Sequence, residues 1–142
     1  LAVHRLARVR VSVSREVLGG SAVVDGVLAA HAFAWNDPFR ACTSNKGTMN
    51  GASPVACATG NDIRALEAGA HAYASRSGVY RPITCWERTA SGDLEGMIEL
   101  PMAVGIVGGT TRTHPMAGLL LRMMHVESAA ELGMVIASTC LA

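Results

Sequence analysis

The chain has 142 residues, a net charge of +1, 16% charged residues and 50% hydrophobic residues. Its cationic residues form no block, and it has only two Trp, two Tyr and two Phe. This composition argues against a nucleic-acid-binding surface, which needs clustered positive charge. The absence of any run of 18 apolar residues argues against a membrane-spanning helix.

The charge content is low, because globular domains average about a quarter charged residues. We therefore expect some faces to meet further domains or a partner subunit, with a merely apolar core as the alternative. The chain begins at Leu1 rather than Met and stops at Ala142 inside an apolar run without a helix stop signal. We expect a segment of a longer protein, with a processed chain as the alternative.

The four cysteines lie far apart, at positions 42, 57, 85 and 140, and form no C-x-x-C pair. The five histidines are equally scattered and form no H-E-x-x-H motif. This pattern is typical of buried free thiols in a cytoplasmic protein and not of a zinc site or a disulfide framework. We therefore predict that the protein binds no metal.

In the first half of the chain, alternating Val residues predict a strand over Arg8–Val13. After Gly19 and Gly20, Ser21 is expected to cap a helix to about Trp35, with Val23, Val24, Val27, Leu28 and His31 on one stripe. Asp37 and Pro38 are typical of an N-cap and a first helical position. We predict a polar loop over Thr43–Ser53, and then a short buried helical turn over Pro54–Ala58.

In the second half, Asn61 and Asp62 are expected to open a helix that ends at Gly78, with Ile63, Leu66, Ala70 and Tyr73 on its apolar face. A hairpin follows, with strands Arg81–Thr89 and Leu94–Pro101. Pro115 starts a helix to about His125, and Ser128 caps the last helix. The fold class predicted from these elements is α+β.

Lys46 is the only lysine beside 11 arginines. An ammonium can be tuned to share or donate a proton near neutral pH, whereas a guanidinium cannot. Asn45 and Asn50 in the same segment could hold a polar ligand with their amide groups. A surface lysine without a function is the alternative.

Asp62 lies 16 residues after Lys46, at the predicted helix start. An aspartate there caps a helix, which is sufficient reason for its presence. If it lay about 4 Å from Lys46, however, the pair would attract by about 4 kcal/mol at an effective dielectric constant of about 20. The glycine-rich segment over Val104–Thr111 lacks the spacing of a phosphate or dinucleotide loop, and we expect it to pack backbone against backbone.

Four stretches of the chain form a recognisable set, namely Asp37-Pro-Phe-Arg40, Asn45-Lys-Gly-Thr-Met-Asn-Gly51, Ala58-Thr-Gly-Asn-Asp62 with Glu67-Ala-Gly-Ala-His71, and Val107-Gly-Gly-Thr-Thr-Arg-Thr-His-Pro115. These stretches closely resemble class II 3-hydroxy-3-methylglutaryl-coenzyme A (HMG-CoA) reductases, the bacterial and archaeal form. The resemblance extends over nearly the whole chain, and the combination of the second and third stretches is specific to this family.

The resemblance implies an enzyme that converts HMG-CoA to mevalonate and coenzyme A with two hydrides from NADH or NADPH. Lys46 matches the catalytic lysine, which stabilises charge on the carbonyl oxygen. Asp62 matches the aspartate that hydrogen-bonds this lysine and a catalytic glutamate. Arg40 and Asn50 match residues that contact the substrate.

The resemblance also implies that residues 1–142 are part of the large domain, which binds substrate and forms a homodimer with active sites at the subunit interface. The small nicotinamide-binding domain and the glutamate would then precede this stretch, and a catalytic histidine would follow it. The isolated segment is expected to be inactive. Two positions depart from the family pattern, namely Ser44, often His, and Thr110, usually Ala or Gly.

Two other functions remain open on sequence alone. The first is a non-catalytic module that binds coenzyme A thioesters or keeps only the dimer surface. The second is a lysine Schiff-base enzyme such as an aldolase, which would use Lys46 as a nucleophile. Flanking sequence separates the first from the reductase, and borohydride trapping on Lys46 tests the second.

Overall fold

The computed structural model describes residues 2–142 and has the predicted α+β class. A 3₁₀ turn over Ala2–His4 precedes the first strand. The three strands are β1 (Leu6–Val13), β2 (Thr84–Arg88) and β3 (Leu94–Pro101). The helices are α1 (Arg15–Leu18), α2 (Ser21–Asn36), α3 (Pro38–Ala58), α4 (Ile63–Ala74), α5 (Gly109–Thr113), α6 (Pro115–Met123) and α7 (Ala129–Thr139).

The strands form one antiparallel sheet in the order β1-β3-β2. Ile98 of β3 lies opposite Val9 on one side and Thr84 on the other. The predicted alternation along β3 is confirmed, because Leu94, Gly96, Ile98 and Leu100 are buried while Glu95 and Glu99 are only partly so. The predicted hairpin is therefore confirmed, although β2 is shorter than expected.

Helix α3 corrects the largest error of the sequence reading, which placed a polar loop over Thr43–Ser53 and a separate turn over Pro54–Ala58. Both stretches belong to one 21-residue helix. It starts as predicted: the Asp37 carboxylate accepts hydrogen bonds from the backbone N–H groups of Phe39 (2.8 Å) and Arg40 (3.0 Å). Glycine, asparagine and threonine are weak helix formers, and this is why local propensity favours a loop here.

Burial of one face of α3 outweighs that propensity. The buried positions recur every three or four residues, at Ala41, Asn45, Met49, Ala52 and Ala56. Such a face gains most of its stability from tertiary packing. A Cβ atom on Gly51 would overlap the backbone carbonyl of Thr139, so glycine permits α3 and α7 to approach at backbone contact. The Thr139 hydroxyl donates to the Gly51 carbonyl at 2.9 Å.

The core lies between the sheet and helices α3, α4, α6 and α7, of which α4 and α7 pack directly on the strands. Its largest fully buried apolar side chains are Met49, Leu66, Ile98, Leu100, Leu132 and Ile136. Helix α7 packs on β1 and α3, and α4 packs on β3 and α3. The packed α3–α4 pair therefore carries both the Lys46 and the Asp62 segments, with α4 against β3.

Helix boundaries differ from prediction at several ends. Helix α2 begins at Ser21 itself, with Gly20 as N-cap and no side-chain cap hydrogen bond. Of its predicted stripe only Val24 is fully buried. Helix α4 ends at Ala74, before Gly78. Ser128 caps α7 as predicted, in a reciprocal capping box with Glu131.

Candidate active site

Lys46 lies near the middle of α3 on its exposed side. Its Nζ donates a hydrogen bond of 2.6 Å to Oδ1 of Asn50, one helical turn further on. Residues four apart lie on the same helix face, so the two side chains form one polar group directed at solvent. The structure thus brings together two of the predicted site residues, the lysine and one predicted substrate contact.

Arg40, the other predicted substrate contact, lies in the first turn of α3 and is half-buried. It precedes Lys46 by six residues, which corresponds to roughly 120° around the helix. Its side chain therefore leaves α3 in a different direction from those of Lys46 and Asn50. The structure places Arg40 on the same helix as Lys46 without direct contact between them.

Asp62 is the N-cap of α4, as the sequence predicts. Its Oδ1 accepts hydrogen bonds from the backbone N–H of Arg64 (2.9 Å) and from Nε of Arg64 (3.0 Å). Its Oδ2 accepts a third from Nη2 of Arg64 (3.1 Å). The Arg64 side chain, and after it the Arg64 backbone N–H, lower the pKa of the Asp62 carboxyl from its ordinary value. The carboxylate is therefore held in its ionised form.

The hypothesis that Asp62 lies against Lys46 is wrong within a single chain. Asp62 forms its ion pair with Arg64 instead. Asp62 follows the C-terminal end of α3, and the stretch from Lys46 to Ala58 alone spans about 18 Å of helix axis. This separation is too large for a lysine side chain to bridge.

Asn45, expected to hold a ligand, is a buried structural residue with 1% of its surface exposed. Its amide nitrogen donates to the Tyr80 hydroxyl and to the carbonyl of Arg81, both at 3.0 Å. Its amide oxygen accepts from the backbone N–H of Ile83 at 2.9 Å. The Tyr80 hydroxyl also lies 2.6 Å from Nδ1 of His71 in α4. Asn45 therefore ties α3 to the segment that leads into β2.

A cleft of about 360 Å³ opens beside Asp62. We call it the Asp62 cleft; its lining residues are Cys57, Gly60, Asn61, Asp62, Ile63, Arg64 and Thr110. Thr110, one of the two departures from the family pattern, is exposed there. Arg64 and Cys57 are residues that sequence reasoning did not single out. The Asp-x-Arg spacing at a predicted helix start was the signal that could have found Arg64.

The glycine-rich segment supports the floor of the Asp62 cleft. The backbone N–H of Gly105 donates to the Asn61 side-chain oxygen at 2.8 Å, and the Thr111 hydroxyl donates to the Thr59 carbonyl at 3.0 Å. Gly60 has φ +73°, and a Cβ there would lie 3.0 Å from the Thr111 nitrogen. The segment therefore packs its backbone at Thr110 and Thr111 against Gly60, whereas a Cβ on its own glycines, Gly105, Gly108 and Gly109, would meet no atom within 4 Å, so the expectation of close packing at these glycines is wrong.

The expectation that the cysteines are buried is wrong for Cys42 and Cys57, which are exposed. Burial raises the pKa of the Cys140 thiol to about 11.

Within residues 2–142 no three His, Cys, Asp or Glu side chains cluster as metal ligands would. Over the same residues, no helix combines the length and hydrophobicity needed to cross a membrane.

The sequence profile of the hydroxymethylglutaryl-coenzyme A reductase family matches residues 2–142. The 3-hydroxy-3-methylglutaryl-coenzyme A reductase of Archaeoglobus fulgidus is 50% identical over 142 residues, which is 100% of this chain and 32% of that protein. A probable 3-hydroxy-3-methylglutaryl-coenzyme A reductase of Borreliella burgdorferi is 45% identical over 92 residues, which is 65% of this chain and 21% of that protein.

Solved structures of the Streptococcus pneumoniae enzyme share the fold. The class II 3-hydroxy-3-methylglutaryl-CoA reductase bound to NADPH in open conformations superposes with a TM-score of 0.92 at 37% identity, over 96% of this chain and 34% of that one. A second structure gives a TM-score of 0.95 at 36% identity, over 99% and 35%. The chain spans about a third of the length of the Archaeoglobus relative. This chain belongs to the hydroxymethylglutaryl-coenzyme A reductase family.

Proposed function

We propose that the protein to which this chain belongs reduces HMG-CoA to mevalonate and free coenzyme A, with NADH or NADPH as hydride donor. The observation that carries the proposal is the exposed amine of Lys46, held 2.6 Å from Asn50 on α3 in a chain of this family. Residues 1–142 are then part of the substrate-binding large domain, in a cytoplasmic enzyme whose cysteines remain free thiols.

Lys46 acts on the carbonyl oxygen of the substrate. Addition of hydride to a thioester carbonyl creates an alkoxide, and a preplaced ammonium stabilises that charge as it develops. An oriented cation of this kind lowers the barrier by several kcal/mol. The same amine can deliver a proton to the oxygen. The Asn50 side chain fixes the amine, because a lysine side chain is otherwise flexible.

The nicotinamide supplies the hydride for each of the two reductions. The described residues do not fit a dinucleotide site, because Gly105, Gly108 and Gly109 lack the fingerprint spacing and the helix that begins at Gly109 has only five residues. We therefore assign hydride-donor binding to a part of the protein outside this chain. On this basis the isolated chain has no turnover.

Asp62 meets Lys46 across a subunit interface in our proposal, since the two lie too far apart within one chain. The resemblance to class II reductases implies active sites between two subunits, and the exposed apolar surface is consistent with such an assembly. Phe39 lies on the surface of α3 that carries Lys46, and it is 84% exposed. Large exposed aromatic groups of this kind are enriched at interfaces.

Arg40 and Asn50 contact the substrate. HMG carries a free carboxylate, and a guanidinium recognises a carboxylate through two parallel hydrogen bonds. The half-buried Arg40 is suited to this role, while Asn50 can hold both the Lys46 amine and a substrate oxygen. Asn50, which lies on the same face of α3 as Lys46, is the contact that brings a substrate oxygen next to the amine.

The proposal is tested on the full reading frame by following nicotinamide oxidation with HMG-CoA. Lys46→Ala and Asp62→Asn should each lower kcat by at least about a hundredfold, the loss seen when an oxyanion-stabilising group is removed. Near-normal turnover of Lys46→Ala would contradict the role of the lysine. A wild-type protein that binds HMG-CoA without oxidising nicotinamide would favour the non-catalytic alternative.

Mixing the two variants tests the interface. In a mixed dimer of Lys46→Ala and Asp62→Asn subunits, one site carries both substitutions and the other carries neither, provided that the pair forms between subunits. An equimolar mixture should therefore recover about a quarter of wild-type activity. No recovery after verified subunit exchange would place the pair within one chain and contradict the proposal.

A further inference from the structure

The carboxylate of Asp62 is clamped by a single residue. Nε and Nη2 of Arg64 each donate to a different carboxylate oxygen, at 3.0 and 3.1 Å, and the Arg64 backbone N–H donates to Oδ1 at 2.9 Å. This is the two-pronged guanidinium–carboxylate geometry that fixes both distance and orientation. Arg64 is two residues from Asp62, so the clamp is built entirely within the first turn of α4.

The clamp leaves one acceptor position in a defined place. A carboxylate offers about four lone-pair positions. Two hydrogen bonds occupy Oδ1 and one occupies Oδ2, so the remaining acceptor position lies on Oδ2. The Asp62 side chain keeps 49% of its surface exposed. An incoming ammonium can therefore reach Oδ2 without displacing Arg64.

The surroundings contribute no competing charge. Apart from Asp62, Arg64 is the only charged residue that lines the Asp62 cleft in residues 2–142. Cys57 from α3 is the other titratable group there, and α5 contributes Thr110, which does not titrate. The Asn61 side-chain oxygen is already bound to the Gly105 N–H. Orientation of the carboxylate thus depends mainly on Arg64, with a smaller contribution from the backbone N–H of Ala65.

We propose that Arg64 is a positioning residue for catalysis: its guanidinium holds the Asp62 carboxylate ionised and oriented so that one Oδ2 lone pair receives the Lys46 ammonium of the partner subunit. This inference rests on the proposed function. It assigns no contact with substrate to Arg64. A surface ion pair this exposed contributes little to stability. We therefore expect loss of the Arg64 side chain to change the reaction rate and not the stability of the fold.

The expected pH dependence of catalysis follows from the direction in which Arg64 shifts the pKa of Asp62. The Arg64 side chain is the largest cause of the lowered pKa of Asp62. Without it, the carboxyl binds a proton at higher pH than in the wild type. The acidic limb of the profile of kcat/KM against pH, which reports groups of the free enzyme, then moves to higher pH.

The test compares Arg64→Gln, Arg64→Lys and the control Arg10→Gln in the full reading frame, with nicotinamide oxidation measured across pH. Arg10 lies on β1, outside the Asp62 cleft, and its replacement changes net charge by the same amount. We expect about tenfold lower kcat/KM for Arg64→Gln, the size of one lost charge-assisted hydrogen bond, with the acidic limb moved upward. Arg64→Lys keeps the positive charge but loses the two-pronged guanidinium geometry, so its kcat/KM should lie between those of the wild type and Arg64→Gln.

An unmoved acidic limb in Arg64→Gln, with or without a uniform loss of rate, would overturn the inference. Thermal unfolding of each variant should match the wild type, because the Arg64 side chain is 87% exposed. The outcomes separate the two proposals: an active Lys46→Ala enzyme refutes the proposed function. An inactive Lys46→Ala enzyme beside a wild-type profile for Arg64→Gln refutes only the role of Arg64.

Discussion

The two faces of α3 meet different physical requirements, although their residues alternate along one helix. Asn45 and Lys46 are neighbours in sequence, yet Asn45 is 1% exposed with three hydrogen bonds to the protein, while Lys46 points to solvent with one. The buried face determines where α3 lies, and the exposed face carries the groups that can do chemistry. A short motif therefore combines a structural anchor, Asn45, and an exposed amine, Lys46.

Asn45→Ala gives the largest expected effect on stability. It leaves the buried Ile83 N–H and the Arg81 carbonyl without their partner, and each such group costs about 1–3 kcal/mol. We expect a loss of about 3 kcal/mol in the free energy of unfolding, measured by urea denaturation. Lys46→Ala is the matched control and should change it by less than about 0.5 kcal/mol. Equal losses in both variants would erase the distinction between the two faces.

Gly51→Ala tests the contact between the buried side of α3 and α7. The added methyl would collide with the Thr139 carbonyl, and overpacking of this kind costs about 1–3 kcal/mol. Gly47→Ala is its control in the same helix, because a Cβ there meets no atom within 4 Å. Alanine should leave stability unchanged or raise it by up to about 1 kcal/mol there. A destabilised Gly47→Ala protein would show that this side of α3 is packed.

Asn50→Ala should separate activity from stability on the exposed face. The Lys46 amine loses its hydrogen-bond partner, and we expect about tenfold lower kcat in nicotinamide oxidation by the full reading frame, with unchanged unfolding. Thr48→Ala is the control, since its hydroxyl bonds only the Ser44 carbonyl. Wild-type kcat in Asn50→Ala would mean that Lys46 is oriented by other groups.

Ser128→Ala, away from both faces of α3, should have the smallest effect. The serine side chain accepts from the Glu131 N–H at 3.1 Å, and loss of a helix cap costs about 1 kcal/mol. Ser128→Thr should retain most of that stability, because threonine also caps helices. Urea unfolding measures both. A loss as large as that of Asn45→Ala would show that this cap contributes to tertiary packing.

Elements with strong local signals were predicted correctly. Asp37, Asp62 and Ser128 cap the helices expected of them, and the alternation along Leu94–Pro101 identified a strand with one buried face. Caps and period-two patterns are interactions between near neighbours, so the sequence alone contains them. The single lysine and its neighbourhood pointed to Lys46, Asn50 and Asp62, the resemblance to a family added Arg40 and the role of each, and these roles remain predictions.

Only the tertiary structure decided the conformation of residues 43–58 and the partners of the site residues. Gly47, Asn50 and Pro54 favour a loop locally, but burial of the opposite face of α3 against α4, α7 and the core outweighs that preference. Because this segment is helical, Lys46 lies far from Asp62, and the Asp62 carboxylate forms its ion pair with Arg64. Packing between distant segments is not encoded in local propensity. For this reason the sequence determined the family and the elements with strong local signals, while the fold decided the conformation of residues 43–58 and which side chains meet.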